Sequence, residues 1–245
     1  MCRSEGRRVL RKDFSHFCGI DPSWTGKNPT ALSIIDRDFN LVEWVYSDQL
    51  DELIETLTRY RDVLVGVDAP LIVENKFGHR ENEREFLRYF SKFRLSLYPV
   101  NRNRYPFFFP ELIYQRLKQH GFSFETGNIF EIYPHATIAI LLNNGKVFHY
   151  KRSRKCEKFE KLSWLEARIK RFVKMSDISV PRNDLKMYED FLDSIVCALT
   201  VRLALERPHL LFGDEESGIL LVLKPEAQVS NQQDLCTGGI SLGLL

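Results

Sequence analysis

Phe17-Cys18-Gly19-Ile20-Asp21 and Val63-Leu64-Val65-Gly66-Val67-Asp68 are two compact apolar runs, each ending in an aspartate. Apolar runs this short, bounded by turn-formers, predict buried central strands. Pro22 and Ser23 stop the first; Ala69 and Pro70 stop the second. Between them, Ala31–Ile35 and Leu41–Tyr46 read as two more strands around an Arg37-Asp38-Phe39-Asn40 turn, an antiparallel meander. Asp48–Tyr60 then carries Leu50, Leu53, Ile54 and Leu57 at helical spacing. A right-handed crossover through that helix returns the fourth strand parallel to the first. Asp21 and Asp68 are therefore expected at one edge of the sheet. Like charges crowded there are unfavourable unless a cation lies between them.

Further along, Glu81–Phe93 and Pro110–Gln119 predict helices, separated by an irregular stretch over 97–109. Asn128–Tyr133 predicts a short fifth strand, and Pro134 suits the first turn of a helix running to Leu142. Glu157–Met175 reads as a basic amphipathic helix. Asp184–Glu206 is the strongest helical pattern, with Leu192, Ile195, Val196, Leu199 and Leu203 in one stripe. Ile219–Leu223 predicts a late edge strand. Alternation of strands with helices places the chain in the α/β class. The expected organisation is a basic extension over 1–12, one domain over 13–225 and a poorly ordered polar tail over 226–245.

Composition narrows the functional classes. The 245 residues are 44% hydrophobic, enough for a substantial core, and the net charge of +2 is close to neutral. No apolar run is long enough to span a bilayer, so no membrane partner is expected. The basic N-terminus lacks the apolar stretch of a secretory signal. Five scattered cysteines form no C-x-x-C pair, which argues against structural zinc and for a reducing, cytoplasmic setting.

Four acidic positions stand out. Asp21 and Asp68 each have a bland reading as turn caps after a strand, but two of them in this topology favour a shared site. Glu131 lies in the apolar run Phe130–Pro134, where an ionised side chain needs a partner; an exposed edge-strand glutamate is the alternative. His135 follows, placed to orient a phosphate or shuttle a proton, or else simply to end the strand. Asp190 and Asp193 share a helix face with Cys197 beside the apolar stripe. The helix dipole explains Asp190 better than Asp193, so Asp193 is the favoured ligand. Carboxylates without cysteine or paired histidine ligands suit Mg²⁺ or Mn²⁺. Such ions support in-line phosphoryl displacement with water as nucleophile.

Basic residues supply complementary evidence. Arg80, Arg84 and Arg88 recur at helical spacing. Lys92, Arg94, Arg102 and Arg104 are interleaved with Tyr98, Tyr105 and Phe107–Phe109, and a basic run extends from Lys146 to Lys161 through Lys151 and Arg152. Phosphate-neutralising side chains among aromatics are expected of a nucleic-acid groove, although a charge run is also an ordinary solvated face. The P-loop spacing, the G-x-S-x-G elbow and the H-E-x-x-H helix are all missing from the sequence.

Taken in order, Gly19–Ser23, Gly66–Leu71, Gly78-His79-Arg80 with Glu83, Glu131–Ala136, Tyr150-Lys151, and Tyr188–Asp190 with Asp193 and Cys197-Ala198 resemble a known family. It is the predicted RNase H-like nuclease family, catalogued as domain of unknown function 429. The similarity spans about Phe17 to Pro225. Asn82 stands where a cysteine is expected, and Ser194 where alanine is usual. The resemblance implies an RNase H-like fold with a mixed five-stranded sheet in the order 3-2-1-4-5, flanked by helices. It also implies acidic metal ligands at Asp21, Asp68, Glu131 and Asp193.

The expected function is a divalent-metal-dependent nuclease hydrolysing nucleic-acid phosphodiester bonds. Asp21, Asp68, Glu131 and Asp193 are the expected catalytic and metal-holding residues, with Asp190 as a further metal-holding residue. Arg80 and Lys151 are expected to contact backbone phosphates, with Glu83 and His135 as further substrate-binding candidates. The rivals are an inert RNase H-like module that binds nucleic acid or protein, and an ATP-dependent phosphotransferase.

Overall fold

The computed structural model describes residue 10 and residues 13–151, 154–176 and 178–225. Almost all of the basic extension, the whole polar tail, and Arg152 lie outside the described residues.

Strands β1 (His16–Asp21), β2 (Thr30–Asp36), β3 (Leu41–Ser47), β4 (Val63–Val67) and β5 (Ile129–Ile132) form the sheet core. β1 pairs antiparallel with β2 and parallel with β4, and β4 pairs parallel with β5. The strand order 3-2-1-4-5 expected of an RNase H-like sheet is present, and β7 (Leu220–Leu223) and β6 (His209–Phe212) extend it to β3-β2-β1-β4-β5-β7-β6. Helices α1 (Leu50–Thr58), α2 (Glu81–Phe90), α3 (Phe109–Gln119), α4 (Pro134–Thr137), α5 (Lys155–Ile169) and α6 (Leu185–Ala204) flank it. Among the described residues, no helix is long and apolar enough to cross a membrane.

Three local expectations need correction. Ile219–Leu223 is not an edge: β7 lies between β5 and β6, which it pairs with parallel and antiparallel respectively. The edge is β6, a four-residue strand too short to announce itself by periodicity. The helix expected over 157–175 ends at Ile169. Its continuation leaves the helix to brace the β2–β3 turn, where Leu41 N–H donates to Lys174 O (2.8 Å) and Lys174 N–H to Phe39 O (2.8 Å). The helix expected to run evenly from Pro134 to Leu142 passes into a π-helical turn at Ile138–Leu142.

The packing of α6 on the sheet positions the site. Gly19 and Gly66 are register partners on neighbouring parallel strands. A Cβ on Gly19 would lie 1.8 Å from Ser194 O and 2.4 Å from Ala198 N, and one on Gly66 2.9 Å from Val201 Cγ1. The paired glycines make a trough into which the helix backbone settles. Side chains at i and i+2 share a strand face, so Asp21 and Asp68 project to the same side as this trough, toward α6. Asp184 caps the helix, its carboxylate accepting from Lys186 N (2.8 Å) and Met187 N (3.1 Å). The residues of α6 from Tyr188 to Ala204 are buried, and Ser33 and Ser194 hydroxyls pair at 2.6 Å across the helix–sheet contact.

Candidate active site

Asp21 is the last residue of β1, and Asp68 follows the end of β4. The strands hold register to Ile20–Val67, and Asp68 N–H donates to Ile20 O (2.8 Å), so the aspartates emerge side by side. Asp193 comes down on them from α6. Ligand oxygens of Asp21, Asp68 and Asp193 all lie within 4.8 Å of one another. Three separate elements thus deliver three carboxylates to one point.

The surroundings are crowded with charge. Lys151 Nζ is 2.8 Å from Asp193 Oδ2 and 3.7 Å from Asp68 Oδ2, while Tyr150 donates its hydroxyl to Asp193 Oδ1 (2.5 Å). One turn earlier on α6, Asp190 accepts from Lys186 Nζ (2.5 Å) and the Tyr46 hydroxyl (3.2 Å). Glu189 pairs with Lys158 at 2.7 Å. Among the described residues, the carboxylates of Asp21, Asp68, Glu189, Asp190 and Asp193 therefore face the ammonium groups of Lys151, Lys158 and Lys186, and acid is in excess.

Those charges set the protonation of the site. Asp21 and Asp68 open onto a cavity yet are ringed by protein atoms. Burial, then Asp68, hold the Asp21 carboxyl well above the usual carboxylate range, against the pull of Lys151. Burial pushes Asp68 up to about 7, with Lys151 opposing and Asp193 reinforcing. For Lys151, burial favours the neutral amine, but Asp193 and Asp68 outweigh it and keep the ammonium charged. Burial, followed by Lys151, lowers His135 to about 4, so a neutral imidazole lines the cavity at pH 7. Burial and the nearby acids push the Cys197 thiol up, which leaves it protonated and inert.

Glu131 is not in the three-acid cluster. It is buried on β5 and forms a two-pronged ion pair with Arg80, Nη1 to Oε1 and Nη2 to Oε2, both 2.8 Å. Leu71 N–H (2.7 Å) and Asn82 Nδ2 (3.3 Å) donate to the same carboxylate. This saturates the acceptor that the sequence assigns to a metal. Arg80, expected to contact backbone phosphates, is buried at the cavity wall, its guanidinium held by Glu131 and, through Nε, Glu83 (2.9 Å). Glu83 closes a capping box at the start of α2. The arginine stripe dissolves further, since Arg84 and Arg88 both pair with Glu81.

A cavity of about 460 Å³ joins these parts. Asp21, Asp68, Lys151 and His135 line it, with Arg80, Glu131, Glu189 and Asp190 also at its wall. Sequence reasoning leaves Tyr150 without a role and misses Lys186 and Trp24. A Tyr-Lys pair beside a basic run carries no periodic signal, and Trp24 sits in a loop.

No protein-family model matches the chain, and no curated protein matches it. Among solved structures, Thermus thermophilus RuvC is similar at 15% identity and a TM-score of 0.41, over 77% of this chain and 95% of that one.

Proposed function

We propose that the protein is a divalent-metal-dependent nuclease, acting in a reducing cytoplasmic setting, with Asp21, Asp68 and Asp193 as its metal-holding residues. The observation that carries this reading is the convergence of three carboxylates within 4.8 Å in an acidic cavity. Asp193 Oδ2 fits the role: it is buried and already holds a cation, the Lys151 ammonium at 2.8 Å. An all-oxygen donor set suits Mg²⁺ or Mn²⁺. Bound there, such an ion would supply Lewis-acid stabilisation of charge on phosphodiester oxygens.

The remaining work falls to the chain's own groups. Tyr150 fixes the orientation of Asp193 through its hydroxyl. The Lys151 ammonium faces the cavity and offers hydrogen bonds to a phosphate oxygen. Neutral His135 lines the cavity wall and carries no fixed charge to attract phosphate.

The inert-module reading draws on one observation, the position of Lys151 as a resident cation between the acids. Calorimetric titration with Mn²⁺ separates the two. The nuclease reading expects stoichiometric binding that Asp193→Asn abolishes, and Mg²⁺-dependent oligonucleotide cleavage that Asp21→Asn abolishes in a folded protein. Undiminished cleavage by folded Asp21→Asn removes the proposed mechanism.

A further inference from the structure

Part of the cavity wall is aromatic. Trp24, in the β1–β2 loop, meets Tyr105 at 5.6 Å and Phe108 at 5.5 Å edge-on, and Tyr98 at 6.2 Å. Trp24, Tyr98 and Tyr105 line the same cavity as Asp21 and Asp68. Phe108 is buried and Phe109 N–H donates to Trp24 O (3.0 Å), so the Trp24 loop is anchored from behind. Tyr98 is 50% exposed, and the exposed Arg104 guanidinium lies 4.8 Å from its ring centre. This wall therefore presents anchored rings with a cation at the rim. Trp24 and Tyr105 are partly buried against the core, which holds these rings in place.

We infer that this aromatic wall is a base-stacking subsite, and that the strand acted upon enters unpaired. The inference rests on the nuclease reading for the reaction at the acids, but base binding stands on the wall itself. Aromatic side chains bind bases through their π-faces, with cation–π help from arginine. In a duplex those faces are covered by neighbouring base pairs, so only an unstacked base can use such a wall. The cavity volume of about 460 Å³ falls in the range of small-ligand pockets, a size suited to a single nucleotide. A phosphate at the acids and its adjoining base on the rings would share one enclosure.

The test uses full-length Asp21→Asn protein with Mg²⁺, which removes cleavage from the binding measurement. A mixed-sequence single-stranded oligonucleotide and its blunt duplex are titrated while tryptophan fluorescence is followed. The single strand is expected to quench fluorescence and to bind about tenfold or more tightly than the duplex. Adding Tyr98→Ala should weaken single-strand binding about 5- to 100-fold, the loss typical of a stacking aromatic, and Tyr98→Phe should restore it. Adding Trp24→Phe should remove the quenching while keeping most of the binding. Equal affinity for both probes, or unchanged single-strand affinity in Tyr98→Ala, overturns the subsite. Wild-type cleavage, measured in parallel, separates the two readings. Cleavage without strand preference sinks the subsite alone, and single-strand binding without Mg²⁺-dependent cleavage sinks the nuclease alone.

Discussion

Replacing Asp21 by asparagine should stabilise the metal-free protein while removing its response to divalent ions. The Asp21, Asp68 and Asp193 oxygens lie at most 4.8 Å apart. At an effective dielectric near 20, two unit charges at that distance repel by about 3 kcal/mol. Lys151 offsets part of this, and protonation relieves part, so the expected gain is about 1–3 kcal/mol. For a chain of this size each kcal/mol moves the melting temperature by about 2–4 °C, giving a rise on the order of 2–12 °C near neutral pH. The sign with pH follows from Asp21 itself, whose carboxyl burial, then Asp68, hold well above the usual carboxylate range. A carboxyl raised by folding contributes stability in full below its unfolded value, and that contribution is lost as pH climbs through its folded value. The advantage of Asp21→Asn should therefore widen from acid to neutral pH. Adding Mg²⁺ or Mn²⁺ should raise the wild-type melting temperature by mass action and leave the variant nearly unmoved. Scanning calorimetry with and without metal provides the assay. A metal-free variant less stable than wild type, together with an intact metal response, would refute the reasoning.

Glu131→Gln should cost about 3 kcal/mol in urea unfolding, because it strips the buried Arg80 of its main counter-charge, while Mn²⁺ affinity changes little. A large loss of Mn²⁺ affinity at unchanged stability would restore Glu131 as a ligand. Gly19→Ala places a methyl 1.8 Å from Ser194 O and should cost about 3 kcal/mol or more in the same assay; a neutral result would mean that α6 does not sit in the glycine trough. Glu166 accepts from Arg182, Lys170 and Tyr188, which outweigh burial and lower it from 4.5 to about 2. That shift corresponds to about 3 kcal/mol, discounted to about 1–2 because Arg182 and Lys170 are nearly half exposed. A depressed carboxyl stabilises above its unfolded value and loses that contribution as pH falls toward about 2. The stability gap between wild type and Glu166→Gln should thus shrink between about pH 5 and pH 2, and a gap independent of pH would contradict the ion-pair account.

The acid cluster is legible in the sequence where local pattern and topology agree. Two strands each ending in aspartate, joined by a meander and a crossover helix, place Asp21 and Asp68 together, and the i, i+3 spacing on α6 brings Asp193 to them. Glu131 shows where such reading stops. Its apolar setting correctly says that it needs a partner, but nothing local says whether that partner is a metal or an arginine 51 residues away. Arg80 misleads for a related reason: helical spacing with Arg84 and Arg88 suggests one basic face, yet Arg80 is the cap residue of α2 and turns inward. The trough at Gly19 and Gly66 has a readable signal, a glycine two residues before each aspartate in both strands. That spacing places the missing side chain on the face from which the carboxylate projects.

The same trough explains why the acids remain together despite their repulsion. Burying several carboxylates against too few ammonium groups is unfavourable, and apolar side chains of similar size would pack more stably. The structure instead drives α6 onto the sheet through two glycines, and each of them costs strand stability. The tightest approach, Ser194 O against Gly19, is one residue from Asp193 and two from Asp21. Close packing and charge crowding therefore occur at one place and share one geometric cause. A scaffold with no use for a cation would gain by relaxing both at once, with a larger residue at Gly19 and a neutral one at Asp193. Their joint presence supports the proposed divalent-ion site.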